Sequence, residues 1–403
     1  MKTLAIFGST GSIGKQTLEV LRAFPGEFEV VGLTALKNEE LLEEQAREFL
    51  DKNGLAEPKN EAKSVPGHTF LAPTPQQIAD LINRADFIIN AVPGFDGLAI
   101  SLAAVRASTP ASPKILLSAN KESLAIAGRF LRELAAQTGA QIRPLDSEAS
   151  AIWQLTEGEL NKKRDDSKTP RQKHSISSVT LTCSGGPFRG KTTTQLANVT
   201  VAEALAHPTW KMGPKVSIDS ATLINKILEV YEVHNLFDIP LRDIHITIHP
   251  QSLVHSMVHT RTGATKMHIT QNDMRLFISY ALHYPEQPDC PWPIERHRRS
   301  EMDFAQPDAE TFRALQWLSL HGGNPNFPII LNAMNDLAVA RFLRGELSFL
   351  GIYDFIEEGL DRFLFQTPPQ TLEELLNFHK TITDFYEHRH STRRGEIHAS
   401  RTK

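Results

Sequence analysis

Gly8-Ser9-Thr10-Gly11-Ser12-Ile13-Gly14 follows the apolar run Leu4-Ala5-Ile6-Phe7 and precedes an amphipathic segment with Ile13, Leu18, Val20 and Leu21 in its apolar positions. Read as strand, turn and helix, the stretch has one main physical use. Glycines allow a turn whose backbone N–H groups approach a pyrophosphate, and the helix that follows points its positive end at the same place. Outward from it, strand-like runs at Phe28 to Thr34, Asp86 to Ala91, Lys114 to Ser118 and Ala140 to Leu145 alternate with helical stretches such as Leu98 to Ala107 and Leu124 to Ala136. Such alternation predicts an α/β fold with a parallel, doubly wound sheet. Where an NAD enzyme would offer an acid to the ribose hydroxyl, the chain has Thr34-Ala35-Leu36-Lys37-Asn38. A cation there suits a 2′-phosphate, hence NADP, although an ordinary surface lysine reads the same by spacing.

Beyond the sheet the pattern changes. Glu157 to Ser178 is polar and of mixed charge, with Lys162, Lys163, Arg164, Asp165, Asp166, Arg171 and Lys173, and reads as a solvated loop. A strand at Val179 to Thr182 leads into a Gly-, Pro- and Thr-rich stretch from Ser184 to Pro214, which reads as a long functional loop. A helix is predicted from Ser220 to Leu236, then strands around Ile244 to Ile248, Leu253 to His259 and Lys266 to Thr270. Prolines from Tyr284 to Pro293 and at Pro307 mark a linker. Helical periodicity follows at Ala309 to Leu320, Leu331 to Leu343, Tyr353 to Phe363 and Leu372 to Phe385, with a basic, frayed tail after Glu387.

Candidate chemistry lies at strand ends. Asn120-Lys121-Glu122-Ser123 would sit at the carboxyl edge of the sheet, where open α/β folds bind ligands. Asp146-Ser147-Glu148 places two acids on one side of an extended chain, a repulsive pair unless protonated or shared by a cation. On the helix after Ser220, Leu223, Ile224, Ile227, Leu228 and Tyr231 make an apolar arc, leaving Asn225, Glu229 and Glu232 opposite and Lys226 beside them. That set is either a solvated helix face or a phosphate and metal site on adjacent turns. Histidines crowd His245 to His268 at strand-compatible parity without a compact zinc motif, which favours a polar sheet face. Cys183 is a possible thiol nucleophile, but Thr182 and Ser184 beside it offer no base.

Composition bounds the rest. At about 150 residues per domain, 403 residues predict two to three domains. Hydrophobic residues at 40% and charged ones at 22% exclude collagen-like, disordered and membrane-embedded chains. A net charge of −4 gives no general surface for nucleic acid or anionic lipid. Two cysteines, Cys183 and Cys290, build no disulfide framework and fit a reducing compartment. No apolar run is long enough to span a membrane, and the N-terminal apolar run is too short for a signal peptide, so a cytoplasmic location is expected, most simply the bacterial cytosol.

Taken together the motifs are recognisable. The chain resembles the 1-deoxy-D-xylulose 5-phosphate reductoisomerases through Gly8 to Gly14, Ala119-Asn120-Lys121-Glu122-Ser123-Leu124, Asp146-Ser147-Glu148, Ser184-Gly185-Gly186-Pro187-Phe188, His207-Pro208 with Trp210 and Met212-Gly213, Asp219-Ser220-Ala221-Thr222, Asn225-Lys226 and His249-Pro250-Gln251-Ser252. The resemblance covers nearly the full length and keeps the family's motif order. It implies a homodimer with an N-terminal Rossmann-like NADPH domain (1–147), a central α+β catalytic domain with the dimer sheet (148–283) and a lid loop (184–214), a linker (284–308), and a C-terminal helical bundle (309–403). It implies NADPH-dependent rearrangement and reduction of 1-deoxy-D-xylulose 5-phosphate to 2-C-methyl-D-erythritol 4-phosphate, in isoprenoid precursor synthesis.

By motif, Asp146, Glu148 and Glu229 would be ligands of Mg²⁺ or Mn²⁺, with Glu229 also facing substrate. Lys121, Glu148 and His207 would be catalytic; Ser147 and His255 would contact substrate, Ser184, Ser220, Asn225 and Lys226 its phosphate, and Trp210 and Met212 would close over it. Gly8, Thr10, Gly11, Ser12, Ile13, Lys37, Asn38, Asn120, Lys121, Glu122, Gly213 and Met274 would contact NADPH. Leu36, Ala149, Ile227 and Asn272 depart from the family pattern of Gly, His, Gly and Pro. Two rival readings are a semialdehyde-type NADP dehydrogenase using Cys183 and a catalytically silent NADPH-binding regulatory protein.

Overall fold

A computed structural model describes residues 1–50, 69–156, 175–294 and 301–401, with side chains of the last helix described as far as Glu387. In chain order the first part runs β1 (Lys2–Phe7), α1 (Ser12–Ala23), β2 (Phe28–Ala35), α2 (Glu39–Phe49), β3 (Thr69–Leu71), α3 (Pro75–Arg84), β4 (Phe87–Asn90), α4 (Asp96–Ala107), β5 (Ile115–Ser118), α5 (Lys121–Thr138), β6 (Gln141–Pro144) and α6 (Ser147–Leu155). Its six strands are all parallel, in the order β3-β2-β1-β4-β5-β6. Strands covered on both faces read as continuous apolar runs, and Leu4, Ala5, Ile6 and Phe7 are all fully buried. The order reverses between β1 and β4, which is where such sheets open a crevice at their carboxyl ends.

Three helices and a strand of this part escaped the periodicity: α2, α3, α6 and the short β3. Asp146-Ser147-Glu148, expected as extended chain, is instead the entry to α6, with Asp146 as its cap and Ser147 and Glu148 in its first turn. α2 carries acids along most of its length, which hides its apolar stripe. α3 does have a start signal, since Thr74 and Gln77 form a reciprocal capping box around Pro75.

The chain continues with β7 (Ile176–Cys183), α7 (Thr193–Leu196), α8 (Val201–Leu205), α9 (Pro214–Ala221), α10 (Ile224–Phe237), β8 (Ile244–Ile248), β9 (Val254–Thr260), β10 (Thr265–Ile269), α11 (Met274–His283), α12 (Ala314–His321), α13 (Phe327–Leu343), α14 (Phe349–Phe363) and α15 (Leu372–Arg401). β7 to β10 form a second, mixed sheet in the order β10-β9-β7-β8, with β8 parallel to β7 and the other pairs antiparallel. Two compact units result. One comprises Met1–Gly185, Pro208–Gly213 and Glu229–Pro307, the other Gly186–His207, Pro214–Leu228 and Asp308–Lys403.

In the first unit α6 packs on β9, and Ser256 Oγ donates to the Glu148 carbonyl at 3.0 Å, so both sheets contribute to one core. In the second, α13 packs on α14, α15 and α9, and Phe349 meets Phe188, Phe342 and Tyr353 edge to face.

Several sequence expectations change. Most of the polar insertion, residues 157–174, lies outside the described residues, and β7 begins at Ile176 because Ile176 and Ser178 pair with Thr260 and His259. The stretch from Ser184 to Pro214 is not wholly loop: threonine capping boxes start α7 at Thr192 with Gln195 and α8 at Thr200 with Glu203. The helix expected from Ser220 is two helices, broken where Leu223 takes a left-handed φ of 61°. The proline-rich linker carries structure too, with Ala305 bridging Ile248. α15 continues to Arg401 where a frayed tail was expected.

Candidate active site

The glycine turn lies against the loop after β4. Gly8 has a φ of +86°, and a Cβ on it would meet the Ala91 carbonyl oxygen at 2.8 Å. A Cβ on Gly14 would stand 2.4 Å from the Gly8 carbonyl oxygen, so α1 seats directly on its own entry turn. Gly11 precedes α1 with no side chain capping it, and Thr10, Ser12 and Ile13 line the turn and first turn of the helix. This is the geometry of a helix N-terminus presented to an anion. At the end of β2, Leu36 is 68% exposed, Lys37 is exposed, and Asn38 caps α2 by accepting from Leu41 N at 3.2 Å.

Across the switch point, the side chains of Asn120 and Glu122 hold the loop after β4. Asn120 Nδ2 donates to the carbonyls of Val92 at 2.9 Å and Gly94 at 2.8 Å, and Gly94 N donates to Glu122 Oε1 at 3.1 Å. Asn120 Oδ1 also caps α5 through Ser123 N. The start of α5 is thereby fixed, and its first residue, Lys121, points among the acids.

Asp146 caps α6 through Glu148 N, and Ser147 Oγ donates to Glu148 Oε2 at 2.5 Å. The carboxylates of Asp146, Glu148 and Glu229 offer oxygens within 4.8 Å of one another, the candidate metal group among the described residues. Lys121 Nζ lies 2.5 Å from Asp146 Oδ2 and 2.7 Å from Glu229 Oε1. An ammonium shared by two acids shows that they are placed to share a cation, and three hard oxygens fit Mg²⁺ or Mn²⁺. Burial opposes the charge on Lys121, but Asp146, Glu229, Glu148 and Glu232 outweigh it and hold the ammonium well above the ordinary lysine value.

The solvated-face reading of α10 fails, since Glu229 is 1% and Glu232 0% exposed. Burial, reinforced by Asp146, Glu229 and Glu148 against the pull of Lys121, drives the Glu232 carboxyl well above its usual range. Neither of its oxygens has a hydrogen-bond partner. Sequence reasoning grouped Glu232 with Glu229 and gave it no role. The available signal was an acid inside the run Ile227 to Val233, where only Glu229 and Glu232 are polar apart from Tyr231.

Further along the first unit, Trp210 is half-buried with its ring 6.1 Å from that of His255. His255, buried on β9, has Nε2 3.2 Å from the Thr270 carbonyl, which puts a proton on that nitrogen. Ser184 is buried just past β7, Met212 half-buried, Gly213 exposed, and Met274 opens α11 behind its Asp273 cap. Three other histidines of this region belong to packing: His249 stacks on Phe304, His259 bonds Thr180 and Thr265, and His268 bonds Gln154, while His245 is exposed. Cys183 Sγ lies 3.8 Å from the Thr247 carbonyl at the end of β7.

In the second unit, His207 is neutral at ordinary pH because burial lowers it to about 4. Ser220, Asn225 and Lys226 flank the break between α9 and α10: Leu223 N donates to the Ser220 carbonyl, and Lys226 N to that of Leu223. A leucine in the left-handed region is unfavourable by about 1–2 kcal/mol, and such strain concentrates at functional sites. Around it, Asp219 accepts from Asn335 at 2.7 Å and pairs with Lys215, while Tyr353 donates to the Thr222 carbonyl. Ile227 is fully buried, so its side chain fills core.

Family models match over most of the chain: 1-deoxy-D-xylulose 5-phosphate reductoisomerase at residues 4–128, its C-terminal domain at 142–237, and a further DXP reductoisomerase C-terminal domain at 269–385. A 1-deoxy-D-xylulose 5-phosphate reductoisomerase of Thermomicrobium roseum is 40% identical over 383 residues, 93% of this chain and 94% of that protein. One from Bacteroides fragilis is 39% identical over 380 residues, 91% of this chain and 93% of that protein. A crystal structure of DOX-P reductoisomerase with NADPH, fosmidomycin and magnesium superposes with a TM-score of 0.83 at 30% identity, covering 96% of this chain and 97% of that one. The Zymomonas mobilis reductoisomerase with NADPH gives 0.77 at 32% identity, covering 95% and 97%.

Proposed function

The chain belongs to the 1-deoxy-D-xylulose 5-phosphate reductoisomerase family, and from that premise we propose how its residues divide the family's reaction. The protein is a metal-dependent NADPH oxidoreductase and isomerase that rearranges 1-deoxy-D-xylulose 5-phosphate and reduces the product to 2-C-methyl-D-erythritol 4-phosphate. The observation that carries the residue assignment is the convergence of Asp146, Glu148 and Glu229 around one cation position beside Lys121. The semialdehyde and silent-binder readings fall with the family.

Asp146, Glu148 and Glu229 hold Mg²⁺ or Mn²⁺. When bound, the ion supplies Lewis acidity to the carbonyl and hydroxyl oxygens of the substrate during the carbon–carbon rearrangement. Lys121 and Ser147, at the starts of α5 and α6, orient the substrate's oxygens, His207 contributes hydrogen bonds as a neutral imidazole, and His255 contacts the substrate. Ser184, Ser220, Asn225 and Lys226 bind the phosphate; the break at Leu223 supports this, because it gives α10 a fresh N-terminus with a lysine and an asparagine in its first turn. Trp210 and Met212 cover the substrate and keep water from the hydride path.

NADPH binds across the β1–β4 switch point, its pyrophosphate at Gly8, Thr10, Gly11, Ser12 and Ile13, its 2′-phosphate at Lys37 and Asn38, with Asn120, Lys121, Glu122, Gly213 and Met274 toward the nicotinamide. The cofactor supplies the hydride; the chain positions it. Residues 1–147, 148–283 and 309–403 serve as nucleotide, catalytic and helical parts. The homodimer reading is supported by β10, an edge strand on which Met267 and Ile269 are 42% and 46% exposed on one face. No helix among the described residues is long and apolar enough to cross a membrane, and a cytoplasmic location is the reading we adopt.

Nicotinamide absorbance followed in a mixture of protein, NADPH, Mn²⁺ and 1-deoxy-D-xylulose 5-phosphate tests the assignment. Oxidation of NADPH that stops on adding a chelator, and a Glu229→Gln variant that binds NADPH normally but Mn²⁺ at least a hundredfold more weakly, are expected. A Glu229→Gln variant with native Mn²⁺ affinity refutes the ligand set.

A further inference from the structure

The acid cluster carries a cation of its own, and one acid beside it has nothing to hold. Lys121 Nζ occupies the Asp146 and Glu229 oxygens that a metal would need. A divalent ion at about 2.0–2.1 Å from such oxygens would stand in contact with the ammonium, and two cations do not share that space. Glu232 lies one turn beyond Glu229 on α10, the spacing that puts two side chains on one helix face. It is fully buried, and both of its carboxyl oxygens lack a donor. Buried carboxyl groups without a partner are rare enough to need a reason, and no step assigned above uses this one.

We propose that Glu232 is the receiving group for Lys121: as a divalent cation loads onto Asp146, Glu148 and Glu229, the Lys121 ammonium leaves Asp146 and Glu229 and donates instead to the carboxyl oxygens of Glu232. Glu232 is then a positioning residue. It keeps the ammonium at the site in the loaded enzyme instead of letting it compete with the metal. Loading of the metal and placement of the lysine become one event, which couples metal occupancy to readiness for substrate. The inference rests on the metal reading above.

Mn²⁺ binding measured by calorimetry without substrate tests it. Lys121→Met removes the competitor and is expected to bind Mn²⁺ at least tenfold more tightly than the native protein. Glu232→Gln is expected to bind it about tenfold more weakly, yet to change affinity less than twofold when made in the Lys121→Met background. Equal weakening in both backgrounds means that Glu232 acts on the ion directly and overturns the proposal, as does unchanged or weaker binding by Lys121→Met. The native protein gives a second test independent of variant folding: a crystal structure with Mn²⁺ should show Lys121 Nζ bonded to Glu232, and Nζ remaining on Asp146 and Glu229 refutes the exchange. If an Asp146→Asn, Glu148→Gln, Glu229→Gln triple variant keeps native Mn²⁺ affinity, the metal reading itself has failed. If the triple variant loses Mn²⁺ and Lys121→Met does not gain it, only the exchange has failed.

Discussion

Gly14→Ala asks how closely the first helix must sit on its turn. The added Cβ would lie 2.4 Å from the Gly8 carbonyl oxygen and the Ser9 Cα, and 2.5 Å from the Ser9 carbonyl oxygen, all backbone atoms with no rotamer to yield. Cβ atoms essentially never come within 3.0 Å of such neighbours, so from 2.4 Å the turn must retreat by about 0.6 Å. Overpacking of this kind destabilises by about 1–3 kcal/mol, and replacing glycine by alanine inside a helix returns about 1 kcal/mol. Net stability therefore drops by at most about 2 kcal/mol, a melting shift of several degrees.

Cofactor affinity should suffer more than stability. Amides displaced by that distance move from about 2.9 Å to about 3.5 Å from a phosphate oxygen, where the bond is largely lost. Losing part of two charge-assisted bonds weakens NADPH binding by about 10- to 100-fold, or about 1.4–2.7 kcal/mol. NADPH fluorescence titration with a parallel thermal melt reads both quantities. Gly323→Ala is the control, because a Cβ there meets nothing within 4 Å. A folded Gly14→Ala protein that binds NADPH within twofold of native shows that the turn does not carry the pyrophosphate.

The native protein should prefer NADPH to NADH, and Lys37→Asp should narrow or reverse the ratio of kcat/KM values; equal use of both cofactors by the native protein counts against the 2′-phosphate assignment. Trp210→Ala should lower kcat/KM by about 1–3 kcal/mol of transition-state stabilisation with little change in NADPH affinity. In a variant with Trp153, Trp292 and Trp317 replaced by Phe, the fluorescence of Trp210 should shift on adding substrate analogue with Mn²⁺, and an unresponsive spectrum rejects the covering role. Burial holds His207, His268 and His379 each at about 4, below the ordinary 6.5. Below pH 6.5 the unfolded chain binds protons that the native one refuses, so stability should fall as pH drops from about 6.5 toward about 4, with uptake of about three protons on unfolding near pH 5. Urea midpoints that stay level across that range would contradict the burial of these rings.

The parallel sheet was legible because its strands are buried on both faces and its turns need glycine, two constraints that act within a few residues. The same locality made the turn at Gly8 to Gly14 readable, and it singled out Asp146 and Glu148 as acids close in the chain, although they meet at a helix entry and not along an extended strand. α2 was not legible, since its acids mask a narrow stripe, whereas α3, α7 and α8 carried capping signals at Thr74, Thr192 and Thr200 that periodicity alone overlooks. The break at Leu223 was unreadable, because leucine there is a conformational exception enforced by surrounding packing.

What the sequence determined by itself was membership: motif order, strand-turn-helix chemistry and the residue types of each candidate site are properties of the chain read in line. Whether α10 shows its acids to water or buries them depends on what packs around the helix, which no spacing encodes. Tertiary structure decided that Glu229 and Glu232 are buried, that Glu229 meets Asp146 and Lys121 across more than eighty residues of chain, and that Glu232 is left without a donor. Charge in a low-dielectric interior is governed by neighbours in space, so the ionic character of this cluster exists only once the chain has folded.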